Sequence, residues 1–400
     1  MNVTGIITEY NPFHLGHLHH LKECKKNTNC DGVICVMSGN FVQRGMPAIM
    51  DKWERAKIAV KNGVDLVVEL PLIFSISSAE AFAYGAVALL EKTKIVNNLY
   101  FGSEHGNVLD LNKIASVIIK EPIEYKNTLK KELAKGVPYH YARLTSLKNY
   151  FNDINLEEII SSSNNILGIE YLKALIRLNS PIKPYTLKRI GSNYNDENIT
   201  SLYASATSIR KTLSFNDFDK IKEVLPKESY EEIINLKNTD YKFVYPEDIF
   251  PFLKYKILTE GENLSKLSQL KEGLDNKIKK EILNSNNLNE FILNIKSKRY
   301  TYTAISRALV SFFIGMENFS LDDIKNSSIE YIRPLAFNER GSKILKEIKN
   351  KESVKIITKL PKNIENSMLS LDLLGTKAYS ILNKNISPME DYLRSPIFVK

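Results

Sequence analysis

Four of the six histidines in this 400-residue chain crowd into one short stretch: His14, His17, His19 and His20. They follow an apolar run over residues 3–8, the acid Glu9, and a turn built on Asn11 and Pro12. Residues three apart at a helix start project from one face, so His14 and His17 of His14-Leu15-Gly16-His17 can converge on one point. That point is a helix N-terminus, where unpaired backbone N–H groups and the macrodipole favour an anion. Gly16 has no Cβ and lets a phosphate approach the backbone closely. Two imidazoles placed there can donate hydrogen bonds to a polyphosphate and to charge developing at its α-phosphorus. Histidines at this spacing could also ligate a metal, but no third ligand lies in helical register and the HExxH order is absent, so no metal ligand is assigned. A solvated polar helix start is the remaining reading of the same residues. His19 and His20 continue the helix, and their types alone assign them no chemistry.

A second constellation lies far downstream, at Ser205-Ala206-Thr207-Ser208-Ile209-Arg210. Its Ser/Thr-rich turn offers hydroxyl and backbone donors, Ser208 among them, and Arg210 supplies a planar cation suited to pyrophosphate. Taken alone, the same residues read as an ordinary N-cap.

Elements of definite kind must position these groups. Apolar runs of strand length occur at 3–8, 32–37, 66–70 and 98–101, separated by helical patterns at 16–26, 51–61 and 78–92. Asp51 and Ser78 stand where N-caps belong, and Glu54 three residues on suggests a capping box for the first of the two. This alternation predicts a doubly wound α/β fold with a parallel sheet and right-handed crossovers. Its ligand should sit at the carboxyl ends of the strands, near the topological switch point. From 109 to 179 the pattern is mostly helical; a strand follows at 185–189 and a helix opens near Thr207. Beyond Phe215 the chain reads as helical throughout. The expected division is a nucleotide-binding catalytic domain over 1–225 and a mostly α-helical second domain over 226–400.

Composition narrows the class further. A hydrophobic content of 43% with 25% charged residues excludes wholesale disorder. Fifty-five Lys+Arg against 46 Asp+Glu leave +9, which suits a polyanionic partner, although abundant Lys, Asn and Ile also fit compositional drift. Cys24, Cys30 and Cys35 are too few for a disulfide framework and match no CxxC spacing. The N-terminal stretch lacks a basic leader, and the apolar runs at 70–79 and 308–316 fall short of the ~18 residues a bilayer span needs. The expectation is a cytoplasmic protein with no membrane partner.

A strand, then HxGH, then a helix, with SATSIR later in the chain, resembles the HIGH-type nucleotidyltransferase superfamily. The likeness is closer still to the bacterial tRNA(Met) cytidine acetate ligase family. EYNPFHxGH near the start, VMSGNFVQRGMPAI at 36–49, VDLVVELP at 64–71 and FGSE at 101–104 carry it. So do NNILGIEY at 164–171, KPYTLKRIGSNYND at 183–196, SATSIRK at 205–211 and KSKRYTYT at 296–303. The resemblance implies an enzyme that couples acetate to ATP, forming acetyl-adenylate and pyrophosphate. It then acetylates N4 of the wobble cytidine of elongator tRNA(Met), releasing AMP. It also implies an ATP site formed by Ile7, Thr8, Glu9, Tyr10, Asn11, Pro12, Phe13, His14, Leu15, Gly16, His17, Leu18, His19 and His20, with Gly102, Asn164 and Arg189. Asn165 adjoins Asn164, and residue type does not separate the two. Ser163 stands where some relatives have Pro, which leaves the amides in place. His14, His17 and Arg210 are the expected catalytic groups; Mg²⁺ is expected with the ATP, with no carboxylate cage evident for it.

The chemistry is consistent without the resemblance. Acetate must become a mixed anhydride before a weakly basic aromatic amine can take its acyl group, and an HxGH site promotes that step by charge and positioning. The loop 38–45 follows the second strand, so Asn40 and Arg44 are candidates to orient acetate, with Lys52 as a possible aid or a solvated helix residue. Three segments mix cations with aromatics as an RNA contact would: 125–148, 296–307 and 340–359. Each could equally be a solvated helix face; Lys298, Arg299 and Tyr300 are the preferred candidates because the family resemblance falls there too. Two rival readings are an adenylyltransferase for a small phosphorylated acceptor and a non-catalytic protein that binds ATP and RNA. Oligomeric state and protein partners are not legible.

Overall fold

The structure is a computed structural model that describes residues 1–151, 156–189, 199, 202–270 and 273–400. A seven-stranded sheet forms its centre. Numbered in chain order, the strands are β1 (Val3–Thr8), β2 (Gly32–Ser38), β3 (Leu66–Leu70), β4 (Val96–Ser103), β5 (Lys183–Lys188), β6 (Pro334–Phe337) and β7 (Ile397–Phe398). Their spatial order is β7-β6-β3-β2-β1-β4-β5. The first five are parallel and run 3-2-1-4-5, the doubly wound order. In that order the chain reverses direction of travel between β1 and β4, so the crevice forms at their carboxyl ends.

Alternation along a strand sends successive side chains to opposite faces, and β2 shows why both faces are buried. Ile34 and Val36 enter one apolar cluster, whereas Val33, Cys35 and Met37 enter another. The helices needed below are α1 (Leu15–Thr28), α2 (Lys52–Lys61), α3 (Ala79–Lys92), α4 (Ser163–Arg177), α5 (Ala206–Ser214) and α6 (Tyr302–Ile314).

Two expectations need correction. The stretch after Phe215 is not helical throughout: β6 pairs antiparallel with β3, aligning Leu66 with Phe337 and Val67 with Ala336, and β7 pairs parallel with β6. Thus residues on both sides of the 225/226 division share one sheet. β6 is short and opens on Pro334 at a register shift, the kind of place where a strand tolerates proline, so it carries no alternating signal. The capping box at α2 is also absent. Asp51 does accept from the N–H groups of Trp53 and Glu54, but its own N–H donates to the Tyr241 hydroxyl, 2.9 Å away. The Glu54 carboxylate instead lies by Lys57 and Arg394.

Candidate active site

A cavity of about 260 Å³ opens at the carboxyl ends of β1 and β4, where the sheet order calls for it. Its walls come from β1 and the turn after it, the first two turns of α1, the end of β4 and the starts of α4 and α5. Gln43 and Arg44 of the loop after β2, Ala79 and Phe82 of α3, and Leu187 and Arg189 at the end of β5 complete it.

His14 and His17 are held there in a way that residue type did not reveal. His14 is the N-cap of α1, and together the two imidazoles form its capping box. The Nδ1 of His14 accepts from the Gly16 N–H at 3.1 Å, and the Nδ1 of His17 accepts from the His14 N–H at 3.3 Å. An accepting Nδ1 assigns the proton of each neutral ring to Nε2, which becomes the ring's donor. The rings stack with centroids 3.7 Å apart, and Tyr10 and Phe13 pack against His17 at 4.9 and 5.6 Å. Burial, then the charges of Arg189 and Arg210, holds His14 down to about 3. Burial and the neighbouring His14 hold His17 well below its ordinary value. Both rings are therefore neutral donors at physiological pH, arranged without the repulsion that two imidazolium groups would bring.

This arrangement has a spectroscopic consequence. The unfolded chain protonates these rings near 6.5 and the folded chain does not, so their contribution to stability is complete above that pH and is lost as pH falls. Asp372, raised to about 7 chiefly by burial and then by Glu69, works in the opposite sense, so a bulk unfolding midpoint would mix the two. In ¹⁵N-resolved imidazole spectra, the Nδ1 of His14 and His17 should stay unprotonated, and their Nε2 protonated, from pH 8 down to about 5.

Three arginines bring positive charge to the cavity. Arg210 donates through Nη1 to the Asn11 carbonyl at 2.7 Å and through Nη2 to Thr207 Oγ1 at 3.2 Å, which ties α5 to the turn after β1. Arg189 follows β5, and its aliphatic stem lies along Gly102. A Cβ built on Gly102 would meet nothing closer than 3.4 Å, so the neighbouring protein leaves room there. Among the described residues, Glu9 is the one carboxylate lining the cavity. Glu104 lies at the N-terminus of α4: its Oε1 accepts from the Asn164 side-chain amide at 2.6 Å and its Oε2 from the Asn165 N–H at 2.9 Å.

The profile of the family described as HIGH Nucleotidyl Transferase matches residues 1–392. The tRNA(Met) cytidine acetate ligase of Clostridium novyi (strain NT) is 51% identical, covering 100% of both chains. That of Clostridium botulinum (strain Okra / Type B1) is 48% identical, covering 100% of this chain and 99% of its own. A crystal structure of Thermotoga maritima TmcAL superposes with a TM-score of 0.91 at 33% identity, covering 100% of both chains. A second, bound with alpha-thio ATP, gives 0.88 at 32%, covering 100% of this chain and 99% of that one. The chain belongs to the tRNA(Met) cytidine acetate ligase family.

Within this family member, the sequence-derived residues divide by position. Ile7, Thr8, Glu9, Tyr10, Asn11, His14, Gly16, His17, His19, His20, Gly102, Asn164, Arg189 and Arg210 all line the cavity, as does Arg44. Pro12, Phe13, Leu15, Leu18 and Ser208 are not among its lining residues. Ser208 is buried and bonds to the cap residue Ser205, whereas Phe13 is a packing support for His17. Asn40 also lies off the cavity: its Oδ1 accepts from the Lys52 N–H at 2.8 Å and its Nδ2 faces Thr376. Lys52 is not solvated and does not line the cavity. It is wholly buried, 2.8 Å from both Glu69 and Asp391. Of the adjacent amides, Asn164 lines the cavity and Asn165 is buried, accepting from the His105 N–H. Residues 190–196 of the 183–196 motif lie outside the described residues.

Several lining residues have no role assigned from the sequence: Gln43, Ala79, Phe82, Phe101, Ser163, Leu167, Tyr171 and Leu187. Most are apolar and read in the sequence as core; only the sheet topology brings α3 and α4 together over the crevice. His19 and His20 carry more than their types suggested, since each has an Nε2 buried without a partner among the described residues.

Gly16 offers a sharp test of the cap. A Cβ there would sit 2.9 Å from His14 Cε1, so Gly16→Ala must push the ring aside. A displacement of that order should reduce adenylate formation by about 10²-fold, read as acetate-dependent ATP–pyrophosphate exchange, with the overall fold retained.

Proposed function

We propose that this chain is an ATP-dependent tRNA-modifying ligase. It converts acetate into acetyl-adenylate with release of pyrophosphate, then transfers the acetyl group to N4 of the wobble cytidine of elongator tRNA(Met) with release of AMP. The observation that carries this reading is the capping-box pair of neutral imidazoles, set with Arg189 and Arg210 around one cavity in a chain of this family. In this reading His14, His17 and Arg210 hold the triphosphate and stabilise charge at the α-phosphorus. Arg189 takes a phosphate, and Gly102 and Asn164 flank the adenosine, where the missing Cβ leaves space for a flat ring. Arg44 remains the candidate for orienting acetate.

The cavity does not suit a protein-held divalent ion. Glu9 is its single described carboxylate, and no cluster of three or more acidic, His or Cys ligands occurs among the described residues. Mg²⁺ would be carried by the phosphates, and the residues present supply no step through it.

The chain's other half supplies the RNA face in this reading, so that 1–225 carries the ATP chemistry and 226–400 the tRNA contacts. Lys298 and Arg299 are exposed and Tyr300 half-buried in the segment leading into α6. That helix is fixed to the catalytic loop: Ser306 Oγ donates to the Gly45 carbonyl at 2.5 Å, and a Cβ on Gly45 would overlap the Arg307 backbone. The left-handed φ of +76° at Gly45 adds to the requirement for glycine there. No helix among the described residues is long and apolar enough to cross a membrane, and a tRNA-modifying enzyme would work in the cytoplasm.

The deciding experiment is mass spectrometry of tRNA(Met) nucleosides after incubation with protein, ATP and labelled acetate. Labelled N4-acetylcytidine is the expected product. No label on cytidine, with AMP appearing on another acceptor, would replace this reading by a simple adenylyltransferase.

A further inference from the structure

We infer that the Glu9 carboxylate receives the proton lost by the attacking amine when the acetyl group is transferred. The inference rests on the ligase reading above and concerns its second step. In that step the N4 lone pair attacks the acetyl carbonyl carbon and a C–N bond forms. The bond from that carbon to the phosphate oxygen breaks, and AMP leaves with the electron pair. One N–H proton must depart. Without an acceptor the nitrogen would have to carry positive charge, which an aromatic amine bears poorly.

The groups lining the cavity leave one suitable acceptor. His14 and His17 already spend Nδ1 on backbone N–H groups and carry their protons on Nε2, so they donate. Arg44, Arg189 and Arg210 are cations, and burial raises the hydroxyl of Tyr171 beyond use as an anion. His19 and His20 lie a turn further along α1, beside Tyr203 and Tyr100, and His20 Cδ2 comes within 3.9 Å of where a Gly102 Cβ would be. In the proposed reading His20 therefore belongs to the adenosine side, and His19 packs with Tyr203. Glu9 sits on the other side, against the 43–45 loop.

Its geometry is fixed from both ends. Oε1 accepts from the Gln43 N–H at 2.9 Å, and the residue's own carbonyl accepts from Arg55 Nη1 at 2.6 Å. Arg55 is fully buried and its guanidinium also serves the carbonyls of Met50, Ser38 and Gly39, so the ends of β1 and β2 are held as one unit. That leaves Oε2 without a partner among the described residues. The groups facing the carboxylate are Arg210 from α5, Arg44 from the loop, Arg55 from α2 and Tyr171 from α4. Burial outweighs the three arginines and the Gln43 bond, and the carboxyl is raised above its ordinary value of 4.5. A stronger base results. The same loop continues to Gly45, whose carbonyl accepts from Ser306 of α6.

The test separates the two half-reactions in the full-length protein. Adenylate formation is read as acetate-dependent ATP–pyrophosphate exchange. Transfer is read as single-turnover loss of label from enzyme-bound acetyl-adenylate to tRNA(Met), between pH 5 and 9. Glu9→Gln keeps an oxygen for the Gln43 N–H. It should lower the ratio of transfer to exchange by about 10²-fold, and the fall in transfer at acid pH seen in the unmodified protein should vanish. Glu9→Asp should keep that acid limb at a reduced rate. Equal losses in both half-reactions would overturn the inference, as would transfer within about threefold of normal with the pH profile unchanged. So would a rise in the Mg²⁺ needed for half-maximal exchange, which would mark Glu9 as a metal ligand. Absence of acetate-dependent exchange in the unmodified protein would count against the ligase reading itself, and so is distinguishable.

Discussion

Replacing His14 or His17 by alanine should lower acetate-dependent pyrophosphate exchange by at least about 10²-fold, the usual cost of losing a donor to developing negative charge. Affinity for tRNA should stay near normal. Alanine removes two things at once, because each ring is also half of the α1 capping box. Loss of a cap costs about 1 kcal/mol of stability, far less than is needed to unfold the chain, but enough to shift the turn that carries the other ring. His14→Asn and His17→Gln divide the roles, since Asn is a favoured N-cap and Gln a favoured third residue of a capping box. These variants should melt within a few degrees of the original protein and still fail in exchange. Near-normal exchange in the double variant would show that the rings serve the helix alone.

Lys52→Met should destabilise the protein by about 3–5 kcal/mol in urea unfolding. The ammonium group is wholly buried between Glu69, at the end of β3, and Asp391. Arg333 completes the cluster, 3.2 Å from Glu69 and 2.7 Å from Asp391. Methionine matches the stem of lysine but leaves two carboxylates facing one guanidinium, so one negative charge becomes uncompensated in the interior. The cost is that of a broken pair rather than the net worth of an intact one. Lys52→Met with Glu69→Gln should recover part of the loss. An unfolding midpoint unchanged in the single variant would mean that the cluster is hydrated or already partly neutral.

The first five strands were legible because each is a run of strand length bounded by turn residues, and their alternation with helices dictates a parallel sheet. The location of the cavity followed from the same pattern, since topology sends the end of β1 and the start of α1 to the switch point. Side-chain partners were much less legible. Residue type marks Asn40 and Lys52 as polar neighbours of a loop, but only the folded chain reveals that both face inward to Thr376, Glu69 and Asp391. Asp51 and Glu54 have the spacing of a capping box, yet a tyrosine from 190 positions away claims the backbone group it needs. The converse case is His14 and His17, which form the box although histidine is not a residue that local rules nominate. β6 escaped because long-range pairing, rather than its own few residues, makes it a strand.

The position of β6 has a consequence for how the protein is made. It is the partner of β3, yet it lies more than half the chain downstream. At ordinary ribosomal speeds the interval between emergence of the two is on the order of tens of seconds. During that time the nascent sheet exposes an unsatisfied backbone ladder along Leu66, Val67 and Val68, the sort of surface that recruits chaperones or neighbouring chains. Fragments ending before Pro334 should therefore be captured by chaperones or precipitate in translation extracts, however complete their catalytic residues.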